Sequence, residues 1–323
     1  MRQGDSVSDR AHPAAPGAPD RDVARWIRRT LADDPPRARS LIVTVWGDAL
    51  APHGGEVWLA GLIRLLAPLG LNDRLVRTSV FRLARDGWLT GETRGRRSRY
   101  RLTPGGSARF AAAYRRIYAP PADAWDGTWE VVVDPPGAAP AERQRVRDDV
   151  RWAGFGTLAP GLFVRPLVDG VAPADEVPSR VVRLHARDAA GVADALPLAT
   201  IAPSLWDLPA LARDYRRFLA LFGRVIDRFR MRAIEASDPA QCFVVRTLLI
   251  HAYRRVLLRD PRLPASLLPL DWPGSAAYVL TRDFYRLTQG RAEAHLAATL
   301  AEDGAPWPPA EASFHARFGG LRA

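Results

Sequence analysis

The stretch NDRLVRTSVFRLARDGWL, residues 72–89, holds four arginines, Arg74, Arg77, Arg82 and Arg85, with the acids Asp73 and Asp86 standing outside them. At 100° per residue, Leu75, Val76, Ser79, Val80 and Leu83 fall on one side of a helix and the arginines fall on the other with Thr78 and Phe81. A solvated helix face ordinarily mixes signs, because like charges at i,i+4 repel. A guanidinium fork, by contrast, suits the paired acceptors of a guanine edge or the oxygens of a phosphate. The chemistry implied is recognition of a polyanion. Arg74, Arg77 and Thr78, near the helix start, are expected to face bases, and Arg82 and Arg85 to face phosphates. Phe81 either packs on a neighbouring helix, the preferred reading, or meets a thymine methyl.

The elements that must hold this helix are legible around it. Asn72 is a ready N-cap, Asp73 suits the positive end of the helix dipole, and Gly87 provides a stop. Upstream, residues 38–50 (ARSLIVTVWGDAL) and 57–70 (VWLAGLIRLLAPLG) read as two apolar helices. Downstream, WLTGETRGRRSRYRLTP reads as two short strands about a turn. Its arginines, Arg94, Arg96, Arg97, Arg99 and Arg101, are candidates for phosphates or the minor groove. Thr103 and Pro104 open another helix through Tyr118. Helix, helix, turn, helix, ribbon, helix is the order of a winged helix-turn-helix.

Charge is distributed unevenly along the 323 residues. All 46 basic residues are arginine, and the net charge is +11. Residues 37–118 hold 15 Arg and 5 acids, so 15 − 5 = +10 sits on that quarter of the chain. Residues 119–203, with 8 Arg and 12 acids, carry 8 − 12 = −4. Such concentration on one module is the electrostatic footprint of a nucleic-acid partner.

The remainder reads as an α+β multidomain chain. Residues 1–36 form an extension, disordered to about residue 20 and then helical over RDVARWIRRTLADD, with that helix free to dock on the body. The winged unit spans 37–119. A unit over 125–200 follows, with strands at 128–134 and 179–188, a helix at 142–154, a hairpin at 155–166 and a degraded second helix near 168–177, in a ferredoxin-like order. The unit over 204–310 is helical, with long amphipathic segments at 208–230 and 238–260 and a last helix near 275–300.

Catalytic patterns are scarce. The sequence holds no GxGxxG, P-loop, GxSxG or HExxH, and its six histidines are scattered, so no cofactor or metal is expected. Cys242, the single cysteine, reads as a core thiol and fits a reducing compartment. No apolar run reaches the roughly 18 residues of a membrane span, and a cytoplasmic location is expected.

The runs RARSLIVTVWGDAL, NDRLVRTSVFRLARDGWL, RGRRSRYRLTPGG, GTWEVVV and LLRDPRLPASLLPLDWPG, in that order, resemble the PaaX-type repressors of phenylacetic-acid catabolism, from about Arg37 to Leu300. The resemblance implies a winged helix, a central ferredoxin-like domain similar to the small CRISPR-adaptation nucleases, and a helical C-terminal domain. It implies a homodimer on an inverted-repeat operator in double-stranded DNA, released by an aryl- or acyl-CoA thioester such as phenylacetyl-CoA. Such a ligand needs cations beside aromatics, and Arg246, His251, Tyr253, Arg254, Arg255 and Tyr278 are the candidates for it. The nuclease likeness raises an alternative, metal-dependent hydrolysis through Asp134 at the end of the first strand of the central unit.

Overall fold

The computed structural model describes residues 17–121, 125–134, 137, 139–168, 181–188, 197–301 and 305–321. The expected disordered start, up to residue 16, and the degraded second helix, from 169 on, lie outside the described residues.

The N-terminal helix α1 (Arg21–Asp33) opens on Asp20, whose carboxylate accepts from the backbone N–H groups of Asp22 and Val23. The helix does dock on the body. Val23 is buried, the Trp26 indole donates to the Leu221 carbonyl, and Asp20 takes Arg232 at 2.9 Å and Arg228 at 3.3 Å.

Next come α2 (Ala38–Val45), widening into a π-helical turn over Trp46–Leu50, then β1 (Glu56–Trp58), α3 (Leu59–Leu66) and α4 (Asp73–Arg85). The reading of 57–70 as one helix needs correction, since Glu56–Trp58 is a strand and the helix begins at Leu59. The reason is tertiary: β1 pairs antiparallel with a later strand, Val57 opposite Tyr100. The hairpin is β2 (Leu89–Arg94) and β3 (Arg97–Leu102), and the sheet order is β1-β3-β2. Helix α5 (Pro104–Tyr118) follows, its Thr103 cap accepting from Gly106 N–H and donating to the Gly87 carbonyl.

A second antiparallel sheet contains β4 (Trp129–Val133), β5 (Gly156–Ala159), β6 (Leu162–Pro166) and β7 (Val182–Ala186) in the order β5-β6-β4-β7. Helix α6 (Pro140–Trp152) covers one face, where Val132 and Phe163 meet Val146 and Val150. Buried Glu130 of β4 is held by Arg165 at 2.7 Å and by Arg183, which keep its carboxyl below the usual range against the burial that would raise it.

The last region holds α7 (Leu198–Leu205), α8 (Leu208–Arg230), α9 (Pro239–Leu257), α10 (Pro273–Leu300) and α11 (Ala312–His315). α8 is amphipathic as expected. α9 is not: Cys242 through His251 are all buried, because α1, α2, α8 and α10 surround it. The Cys242 thiol is inside the core as anticipated, and burial pushes it up to about 12. Among the described residues no helix is long and apolar enough to cross a membrane.

Candidate nucleic-acid interface

Helix α4 is held from both ends and from beneath. The Asn72 side chain accepts from Leu75 N–H at 2.9 Å, and Gly87 leaves the helix at φ 72°. Val76, Val80 and Leu83 are buried against α2 and α3. Arg74, Arg77, Thr78, Arg82 and Arg85 are all exposed. Two expectations change. Leu75 is 44% exposed, since it sits at the margin of the apolar stripe, beside Arg82 of the cationic face, and no element among the described residues covers it. Phe81 is 64% exposed and packs on no neighbouring helix, so of its two readings contact outside the chain is the one left open.

The arginines differ in what they already hold. Arg77 is paired with Asp73 one turn earlier, and Arg85 lies 3.7 Å from Asp86, which Arg39 holds at 2.6 Å. Arg74 and Arg82 have no ion pair among the described residues.

The hairpin builds one face from alternate residues. Register sets Glu56 and Thr90 opposite Arg101, Trp58 and Glu92 opposite Arg99, and Arg94 opposite Arg97. Tyr100 fills the other face, lying where a side chain on Gly91 would sit. On the charged face Trp58 is a platform, with the Arg97 guanidinium 4.3 Å from its ring centroid and that of Arg99 5.4 Å away. Arg99 is drawn into the fold by Glu56 at 2.6 Å and Glu92 at 3.6 Å, and Arg94 holds Glu92 at 2.7 Å. That hydrogen bond from Arg94 is the main cause keeping the Glu92 carboxyl below its ordinary range. Arg99 is therefore better placed to order the sheet than to meet a phosphate. Arg96, at the turn with Gly95, and Arg101 are exposed with no ion pair among the described residues. Four guanidiniums, those of Arg94, Arg97, Arg99 and Arg101, against the carboxylates of Glu56 and Glu92 leave this face 4 − 2 = +2, with Arg96 added at the turn. Sequence reasoning missed Trp58 because a Trp before an apolar helix reads as part of it, and missed Arg39 because it lies far from Asp86 in the chain.

The six residues proposed for a ligand do not converge. Arg246 is fully buried, 3.1 Å from Glu293 and 4.9 Å from the Tyr285 ring centroid. His251 shares a hydrogen bond with Thr44 at 2.8 Å, and burial, aided by Arg254 and Arg255, pushes it down to about 4. Tyr253 packs on Phe218, Arg255 pairs with exposed Asp34, and Tyr278 packs on Phe318. Arg254 donates to the Thr44 hydroxyl at 2.9 Å and is the member of the six that lines a sizeable cavity. These side chains chiefly fasten α9 and α10 to their neighbours. Asp134 donates its backbone N–H to Gly161, and its carboxylate oxygens are buried without a hydrogen-bond partner among the described residues. No group of three or more His, Cys, Asp or Glu able to hold a metal occurs among those residues.

Comparison with known proteins decides the family. The chain is 34% identical over 310 residues to the transcriptional repressor PaaX of Escherichia coli (strain K12), covering 92% of this chain and 94% of that protein. The chain belongs to the PaaX family. Family profiles match along its length: PaaX-like protein at residues 37–106, PaaX protein central Cas2-like domain at 122–176, and PaaX-like protein C-terminal domain at 206–298. Among solved structures, the uncharacterized protein Rv0674 from Mycobacterium tuberculosis is similar, with 29% identity and a TM-score of 0.54 over 81% of this chain and 98% of that one. As a PaaX-family member the chain is a transcriptional regulator, and an enzymatic role for the central sheet is not supported.

Proposed function

We propose that this PaaX-family protein is a dimeric repressor of an aromatic or acyl-CoA catabolic operon, acting in the cytoplasm, whose residues 37–119 form a winged helix-turn-helix. α4 is the recognition helix, β2–β3 the wing, residues 125–200 a ferredoxin-like unit, and residues 204–310 the effector and dimerisation unit. The observation that carries the reading is the outer face of α4, where Arg74 and Arg82 stand exposed without acidic partners on a helix firmly capped and packed beneath. Arg74 has no carboxylate at i±3 or i±4, where an ordinary solvated face would place one, and the acid at i+4 from Arg82, Asp86, is taken by Arg39 at 2.6 Å. The E. coli relative is a repressor by name, which supports the same direction. The strand order β5-β6-β4-β7 supports the ferredoxin-like reading of the central unit.

Two copies would set two α4 helices into successive major grooves, about 34–36 Å apart or a multiple of that spacing. The effector, an aryl- or acyl-CoA, acts only through differential affinity for the free and DNA-bound arrangements. Footprinting on the DNA flanking the protein's own gene tests this: an inverted repeat is protected, and phenylacetyl-CoA or a related thioester, but not the free acid, removes the protection. No protected site, or protection without two-fold spacing, rejects the reading.

A further inference from the structure

Two cavities flank α5. The first, of about 660 Å³, lies between α5, the end of β6, the loop after α9 and the C-terminal segment around Ser313–Gly319. Five arginines line it, Arg115, Arg116, Arg165, Arg262 and Arg317, and no carboxylate stands among its described lining. Arg165 and Arg317 are engaged with Glu130 and Asp48. Arg262 makes no ion pair among the described residues: its guanidinium donates to the carbonyls of Arg116, Ala119 and Pro120, while the nearby Asp260 carboxylate accepts from its backbone N–H and acts on its charge from a distance. Arg115 is exposed and has no ion pair among the described residues.

The second cavity, of about 370 Å³, is walled largely by apolar and aromatic side chains, among them Val43, Trp88, Phe110, Ile117, Ile250 and Leu258. Arg254 and Arg109 stand at its wall. Ala112, Tyr114 and Tyr118 belong to both linings, so α5 stands between the two chambers and they adjoin at its margins. A cationic chamber adjoining an aromatic one across a single helix suits a molecule with an anionic end and a compact apolar end.

Resting on the effector reading above, we propose that these adjoining chambers, with Arg254 the one of the six earlier candidates at their wall, are the effector site: the Arg115–Arg262 side takes the phosphates of an organic polyanion, and the Phe110–Ile117 side takes its acyl or aryl group. The position also supplies a route to DNA. Trp88, in the apolar wall, follows α4 by three residues and stacks edge-on against Phe110 with ring centroids 5.6 Å apart. Thr103, the cap of α5, bonds the carbonyls of Gly87 and Trp88. A ligand seated in this chamber against Trp88 and Phe110 thus presses on the joint where α4, β2 and α5 meet.

Calorimetric titration of the full chain with phenylacetyl-CoA, CoA and phenylacetate tests the placement, with thermal melting as the control for folding. Arg115→Glu, a change on an exposed side chain, is expected to weaken phenylacetyl-CoA and CoA alike by about ten- to a hundredfold, as loss of a charge-assisted contact would. Ala113→Phe, which plants a ring in the apolar chamber, is expected to weaken phenylacetyl-CoA by about fivefold or more while sparing CoA. If both variants fold and bind phenylacetyl-CoA as the unaltered chain does, the placement is wrong while the effector reading stands. If the unaltered chain binds no thioester, the effector reading falls and takes the placement with it.

Discussion

Arg82 and Arg99 should separate a side chain that meets DNA from one that only orders the sheet. Arg74, Arg82, Arg96 and Arg101 are exposed without an ion pair among the described residues, whereas Arg99 is taken up by Glu56 and Glu92. With Arg74 directed at bases, Arg82, Arg96 and Arg101 in each protomer of the proposed dimer would neutralise about 6 phosphates, which gives a slope of log K against log salt of about −5. Between 50 and 200 mM salt that slope lowers affinity about 10³-fold. Arg82→Ala removes one contact per protomer and should flatten the slope by about 1.8, weakening operator and random duplex to a similar extent. Arg99→Ala should leave the slope within about 0.5 of its original value, since its guanidinium releases no counterion from DNA. Fluorescence anisotropy with a labelled operator across a salt series reads both. A slope unmoved by Arg82→Ala, or lowered as far by Arg99→Ala, refutes the sorting of arginines by their partners in the fold.

Other consequences follow from the interior. Asp48 is buried in the π-helical turn and accepts from Tyr118 at 2.5 Å, Tyr285 at 2.9 Å and Arg317 at 3.1 Å. Asp48→Asn strips the buried Arg317 of its counter-charge, so a loss of about 3–5 kcal/mol and a fall of roughly 5–15 °C in Tm are expected by calorimetry; a fall under about 2 °C would contradict it. His251 has its folded pKa pushed down to about 4 from 6.5. The unfolded chain therefore takes the proton first, and the stability present above pH 6.5 is lost as pH falls toward 4. Between pH 7 and 5 the chain should lose about 2 kcal/mol that His251→Gln does not lose, measured by urea titration at each pH. Identical pH profiles would show that His251 is not neutral in the fold. Trp58→Ala removes the platform under Arg97 and Arg99, and anisotropy should show a loss of about two- to fivefold on specific and random DNA alike. A loss confined to the operator would mean that Trp58 takes part in base readout.

Local pattern alone was enough for the capped helix at 73–85, the hairpin after it and the charge concentrated on residues 37–118, because caps, periodicity and charge are short-range properties written in adjacent residues; the family was legible only as a resemblance of five ordered motifs. Contacts between distant segments were not available to it. Val57 and Trp58 belong to a strand because β3 reaches them from forty residues on, Leu75 and Phe81 are bare because no element among the described residues covers them, and the buried cation of α9, Arg246, pairs with Asp48 of α2's continuation and Glu293 of α10. The sequence by itself determined which helix is cationic and how it is held. Tertiary structure alone decided which arginines keep their charge for a partner, and set the two chambers around α5, since both depend on which side chains from remote parts of the chain come within a few ångströms of one another.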